Sequence, residues 1–313
     1  MNMPALRPPA HIAVATDFSP GAALALDRAI TLAVEHSAGL SLVHALALPS
    51  WREGPRADLR HALDEQVYVD AAHALLEPLA RQARDAGVAS VQVSVLPGRL
   101  HMQLDMAPLA GADLLVMGAR GEGALPELPL RLGSELHRCL QRWPGPLLAV
   151  RQPAGAAWQR VLDATDFSPQ ALHAVRTALK LAPLARHQLL HMLAPPPASW
   201  LPLPKASETA RDALAREAAV DARHALESLA AELSIGRERA LVPMLREGRP
   251  STCLLEVAKS EQAELIALGA LGGSRLEAGL LGSLGLHALA EAPCDVLLVR
   301  LSGSEAGLLP ALP

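Results

Sequence analysis

Aromatic side chains are scarce in this chain: four Trp, two Phe and one Tyr make up 2% of its 313 residues. Proteins that hold single-stranded nucleic acid stack its bases on aromatic rings, so that class of function is disfavoured. Excess positive charge is missing as well. Lys and Arg number 28 against 32 Asp and Glu, a formal net charge of −4, whereas duplex binders carry a clustered basic surface. Cysteine is limited to Cys139, Cys253 and Cys294, with no close-spaced pair. That argues against a disulfide framework or a zinc knuckle and fits a reducing cytoplasm. No run of about 18 or more apolar residues suggests a membrane span. The stretch from Met1 to Ala10 holds three prolines and lacks the apolar core of a signal peptide.

What the chain does have is a second copy of itself. ATDFSP runs from Ala15 to Pro20 and again from Ala164 to Pro169, so Asp17 and Asp166 stand 149 residues apart. Later landmarks keep nearly the same offset: His44 and His191 (147), Trp51 and Trp200 (149), Gly98 and Gly248 (150), Arg151 and Arg300 (149). LLVMGARG, from Leu114 to Gly121, is matched by LIALGALG, from Leu265 to Gly272. A domain of about 150 residues has been duplicated, in keeping with a usual domain size of about 100–200 residues. Half of the residues are hydrophobic, enough for a core in each copy. The expected boundaries are 1–152 for the first domain, a QPAGAA linker from Gln152 to Ala157, 158–301 for the second domain, and a tail over 302–313.

Each copy alternates short apolar runs with helical patterns. In the first, strands are expected at 11–15, 40–45, 91–96, 113–117 and 147–150. Helices are expected at 20–37, 59–85, 100–110 and 134–142. In the second, strands are expected at 160–164, 188–193, 240–245, 264–268 and 295–299. Its helices are expected from Pro169 onward and at 207–233, 251–260 and 284–291. Ser19-Pro20 and Ser168-Pro169 read as an N-cap followed by Pro at the first helical position. This alternation implies parallel βαβ crossovers and a sheet covered on both faces, with right-handed connections.

Ligands of open α/β sheets bind beyond the carboxyl ends of the strands, at a topological switch point. Two loops stand out there in each copy: Thr16-Asp17 (Thr165-Asp166) after the first strand, and a glycine-rich segment after the fourth. In the second copy that segment is G-x2-G-x9-G-S, with Gly269, Gly272, Gly282 and Ser283 as its fixed points. Glycines let backbone approach an anion, and helix N-terminal amides with a hydroxyl donate to phosphate oxygens. No Gly-Lys-Ser/Thr is present, so this is not a Walker A loop.

With ATDFSP, the histidine of the second strand, the turn Gly248-Arg249-Pro250, the G-x2-G-x9-G-S loop and the ending from Ala292 to Arg300, the chain resembles the universal stress protein family over essentially its whole length, as a tandem of two such domains. The resemblance implies two Rossmann-like (adenine nucleotide alpha hydrolase-like) α/β domains. Each would be a five-stranded parallel sheet of order 3-2-1-4-5 with helices on both faces. It implies an ATP site, with or without Mg2+, in which Asp166 lies near adenine and ribose, Met192 and Leu193 line the adenine pocket, and Gly269, Gly272, Gly282 and Ser283 hold ribose and phosphates. The candidate binding set also takes in their neighbours Ala164, Thr165, Ala270, Gly273, Arg275 and Leu284. The resemblance further implies internal pairing of the two domains through their final strands, and it is compatible with a homodimer and with a further protein partner.

The first copy departs from the pattern. Eleven residues, not nine, separate Gly121 from Gly133, and this stretch includes Glu122, Pro126, Glu127 and Pro129. Glu135 stands where the second copy has Leu284. A carboxylate at a helix N-terminus satisfies the dipole a phosphate would use, and prolines remove amide donors. ATP is therefore expected mainly in the second copy. Plainer roles compete at every position. The glycines can serve a tight turn and a helix start, Asp17 and Asp166 can cap a turn, and Arg275 can be a surface arginine. His44 and His191 are expected to be packed or hydrogen-bonded rather than catalytic. His61, His73 and His101 have no metal-ligand spacing, and no metal site is expected. The leading expectation is a cytoplasmic, ATP-binding stress-response factor that is not an enzyme beyond weak ATP hydrolysis. Against it stand an interaction module that binds no nucleotide, and a slow ATPase.

Overall fold

The computed structural model describes residues 8–47, 65–120, 134–194, 208–270 and 282–300. The chain divides into two compact units, with the boundary between Ala157 and Trp158. The expected linker over 152–157 lies within the described residues, and the expected tail over 302–313 lies outside them.

The first unit runs β1 (His11–Ala15), α1 (Pro20–His36), β2 (Gly39–Leu46), α2 (Glu65–Asp85), β3 (Val91–Pro97), β4 (Leu114–Gly118), α3 (Ser134–Arg142) and β5 (Leu147–Val150). Every neighbouring strand pair is parallel, and the order is β3-β2-β1-β4-β5. Ile12 of β1 pairs with Leu40 on one side and Leu114 on the other. Ile12 to Ala15 and Leu114 to Met117 are buried without alternation. This is the signature of a sheet covered on both faces.

The second unit repeats the plan: β6 (Arg160–Thr165), α4 (Pro169–Leu181), β7 (Arg186–Leu193), α5 (Glu208–Ser234), β8 (Val242–Glu247), α6 (Pro250–Ser260), β9 (Leu265–Gly269), α7 (Ser283–Glu291) and β10 (Asp295–Val299). Its order is β8-β7-β6-β9-β10, again all parallel. The α/β class and the 3-2-1-4-5 order are thus as the sequence led us to expect.

Local signals set the helix ends. Ser19 and Ser168 accept hydrogen bonds from the amides of Ala22 and Ala171, both at 3.2 Å, with Pro20 and Pro169 next. Such a cap is worth about 0.5–2 kcal/mol. α1 stops at Ser37, whose left-handed backbone (φ 54°) turns its amide onto the Ala33 and Val34 carbonyls. Strand starts are clamped in the same way in both units. Asp113 accepts from the amides of Ala10 and His11, and Glu264 accepts from those of Gln159 and Arg160.

One expected helix is absent. Residues 100–110 form only a 3-10 turn over Leu100–Met102, followed by turns, whereas the counterpart α6 is fully helical. Pro108 supplies a reason, because proline has no amide to donate and its ring disfavours helical backbone at the preceding residue.

Candidate functional site

The repeated ATDFSP string folds into the same hydrogen-bond module twice. Thr16 Oγ1 accepts from the Phe18 amide at 3.0 Å, and Asp17 Oδ1 accepts from the Ser19 amide at 3.1 Å. Thr165 and Asp166 do the same for Phe167 and Ser168, at 3.0 and 3.0 Å. Phe18 and Phe167 both adopt left-handed backbone, with φ 61° and 63°. That conformation costs a bulky residue on the order of 1–3 kcal/mol and gathers at functional sites. His44 Nδ1 donates to the Thr16 carbonyl, and His191 Nδ1 donates to the Thr165 carbonyl, each at 2.8 Å. The Phe18 and Phe167 rings lie 4.7 and 4.5 Å from those imidazoles. Both histidines therefore tie the second strand of a repeat to the turn after the first. The Asp Oδ1 atoms shape that turn whatever else the carboxylates do.

The opposite rim of each crevice is brought to backbone contact. A Cβ at Gly118 would lie 2.6 Å from the Gly21 carbonyl carbon and oxygen, and one at Gly269 would lie 3.0 Å from the Ala171 nitrogen. A Cβ at Gly21 would collide with the Arg120 carbonyl oxygen. In the second unit Gln170 stands in place of Gly21. The glycine at the end of β9 thus has a packing duty independent of any ligand.

In the second unit the structure brings most of the candidate residues together. Ala164 and Thr165 are buried at the end of β6, with Asp166 exposed beyond them. Met192 and Leu193 close β7 directly after His191. The Gly282 amide donates to the Ala270 carbonyl at 3.0 Å, which places the start of α7 against the end of β9. Gly282 is the N-cap of α7, with no side-chain cap and no acidic residue in the first turn. Helix N-termini leave amides without intrahelical partners. Among the described residues, nothing accepts from the amides of Ser283 and Leu284. Gly272, Gly273 and Arg275 lie outside the described residues.

The first unit is built differently at this end. Between β1, β4 and α3 lies a cavity of about 220 Å3, with Ala15, Val43 and Met117 on its apolar side and Asp17, Arg120 and Glu135 on its polar side. Glu135 stands in the first turn of α3, and its Oε1 accepts from the His101 amide at 2.9 Å and meets His101 Nδ1 at 2.7 Å. Burial, with Glu135 adding to it, pushes the Cys139 thiol far above the ordinary cysteine range. The sequence raised His101 only as a metal ligand without ligand spacing and did not link it to Glu135. Its partner is 34 residues away, and the only available signal was that the second copy has Ser251 and Leu284 at the matching positions.

Among the described residues no group of three or more His, Cys, Asp or Glu could hold a metal ion. No described helix is long and apolar enough to cross a membrane.

An open parallel sheet with its strand order reversing at β1/β4 and β6/β9, and loops converging there, defines the doubly wound Rossmann-like class. The particular family follows from comparison with known proteins. The model of the universal stress protein family matches residues 10–151 and again 157–300, so the chain belongs to that family, as a tandem of two of its domains. It is 36% identical over 138 residues to a universal stress protein of Thermus aquaticus, covering 44% of this chain and 93% of that one. It is 33% identical over 145 residues to Universal stress protein YxiE of Bacillus subtilis, covering 44% and 96%. A universal stress protein of Archaeoglobus fulgidus has the same fold over 93% of this chain and 98% of its own, with a TM-score of 0.66 at 20% identity.

Proposed function

We propose that this tandem universal stress protein binds ATP in the crevice of its second unit and uses the nucleotide as a regulatory signal in the cytoplasm. The observation that supports this reading is the start of α7. It sits against the end of β9, carries the Ser283 hydroxyl and two amides unclaimed among the described residues, and has no acidic residue in its first turn. Helix N-termini of this kind are ready-made phosphate sites. Asp166, Met192 and Leu193 would then face the nucleoside, and Gly269, Ala270, Gly272, Gly273, Arg275, Gly282, Ser283 and Leu284 the ribose and phosphates. ATP serves as signal rather than fuel in this reading because phosphoryl transfer needs positioned cations and a placed nucleophile, and the loop holds no Gly-Lys-Ser/Thr.

The test is calorimetric titration of nucleotide-stripped protein with ATP, with and without Mg2+. One site per chain is expected, lost on Gly282→Leu, which crowds the start of α7. A site that survives Gly282→Leu would place the ligand elsewhere. A second reading, an interaction module without nucleotide, is favoured by the packing duties of Gly118 and Gly269, which explain those glycines without a ligand. Absence of heat at millimolar ATP would select it.

A further inference from the structure

The two units are chemically alike at one end of the crevice and opposed at the other. Thr16, Asp17, Phe18 and His44 reproduce the contacts of Thr165, Asp166, Phe167 and His191 almost to the tenth of an ångström. The difference lies where a helix N-terminus meets the crevice. In the second unit Leu284 follows Ser283, half-buried and uncharged. In the first unit Glu135 follows Ser134, lines the cavity and is held by His101 through both the backbone amide and Nδ1. His101 is itself fixed, because its carbonyl accepts from Arg142 at 3.2 Å. The pair is partly shielded, with side-chain exposures of 13% and 33%.

We infer that the His101–Glu135 pair is the residue set that refuses phosphate in the first unit, so that specificity for the triphosphate is divided between the repeats by one carboxylate. A carboxylate already seated at the start of α3 uses the dipole and the local donors that would otherwise meet an anion. It also presents its own negative charge to any phosphate oxygen entering the same space. The remaining cavity, about 220 Å3, is below the roughly 300–1,000 Å3 common for ligand sites. This rests on the nucleotide reading of the second unit, and it adds that the first unit has the same crevice with the anion position filled from within.

The matching residues of the second unit, Ser251 and Leu284, define the experiment. ATP is titrated into the full-length wild-type chain, into His101→Ser/Glu135→Leu, and into Glu135→Gln, with thermal melting run on all three. The expected stoichiometry is one site in the wild type and two in the double variant. Glu135→Gln, which keeps the shape and removes the charge, should also gain a second site, weaker than that of the double variant. Two sites in the wild type would overturn the inference, as would a folded double variant that stays at one. Should the double variant fail to melt cooperatively, Glu135→Gln decides: a gained site supports the inference and an unchanged stoichiometry overturns it. Should the wild type bind no ATP at all, the nucleotide reading of the second unit falls separately. The His101–Glu135 inference then stands on a site appearing only in the variants, and falls if none appears.

Discussion

Replacing the buried Asp163–His187 pair by the residues of the other repeat should leave the protein as stable as before, although either single replacement should damage it badly. The two residues are 0% and 2% exposed. Asp163 Oδ2 meets His187 Nδ1 at 2.7 Å, and His187 Nε2 donates to the Ala182 carbonyl at 2.8 Å. Asp163 Oδ1 is buried without a hydrogen-bond partner among the described residues. Burial pushes the pKa of the nearby Arg237 guanidinium down, with the charge of Asp163 acting against that, and Arg237 donates to the Pro183 carbonyl at 2.9 Å. The repeat offsets of 149 and 147 place Val14 and Leu40 at the matching positions of the first unit, each 1% exposed. The same fold position is therefore filled once by a polar pair and once by aliphatic side chains. Removing one partner of a buried pair costs about 3–5 kcal/mol, and exchanging the whole pair for packed apolar residues is often neutral or stabilising by about 1–4 kcal/mol. Asp163→Val and His187→Leu should each lose about 3–5 kcal/mol, and the double variant should recover that loss. At a urea slope of about 2 kcal/mol per M, a loss of about 4 kcal/mol moves the midpoint of the second unit by about 2 M. The assay is urea unfolding of the four proteins, followed through transitions assigned to each unit. Additive single effects, with a coupling below about 0.5 kcal/mol, would refute the reasoning, as would a double variant no better than the worse single.

Three further outcomes follow from contacts in the crevice and behind it. Gly118→Ala should cost about 1–3 kcal/mol of stability through overpacking, and Gly269→Ala should cost less, because its Cβ would meet Ala171 at 3.0 Å rather than Gly21 at 2.6 Å. Melting of both variants checks the order. Cys139 is buried and its thiol is pushed up in the folded chain. The unfolded chain therefore ionises first, and the contribution of Cys139 to stability is whole below the ordinary cysteine pKa of about 8.5 and is lost as pH rises above it. Cys139→Ala should flatten the alkaline arm of a stability–pH curve. In the folded wild type at neutral pH, a thiol reagent should modify Cys139 only as fast as the unit opens.

Much of this protein could be read from residues near one another in the chain. Ser19-Pro20 and Ser168-Pro169 start helices because a hydroxyl and a proline act on amides within one turn. The duplicated landmarks placed five strands per unit for the same reason, since strand and turn signals are local. The helix expected over 100–110 shows the limit of that reading. Its apolar spacing resembled that of α6, but Pro108 outweighed the pattern, and His101 turned its amide to Glu135 on another element. The roles of the crevice residues were open in the sequence because a glycine or an aspartate there suits a turn as well as a ligand. The structure gives Asp17 and Asp166 a turn-shaping bond each and gives Gly118 and Gly269 a packing duty.

By itself the sequence determined the duplication, the α/β alternation, the helix starts and the asymmetry at Glu135, since each depends on short spacings or on comparing one copy with the other. Only the tertiary structure decided that His101 holds Glu135, that Asp163 holds His187, and that the ends of β9 and α7 meet through Gly282 and Ala270. Those pairs lie 34, 24 and 12 residues apart in the chain. No local propensity encodes them, because they come together only when the crossovers bring separate strands and helices side by side.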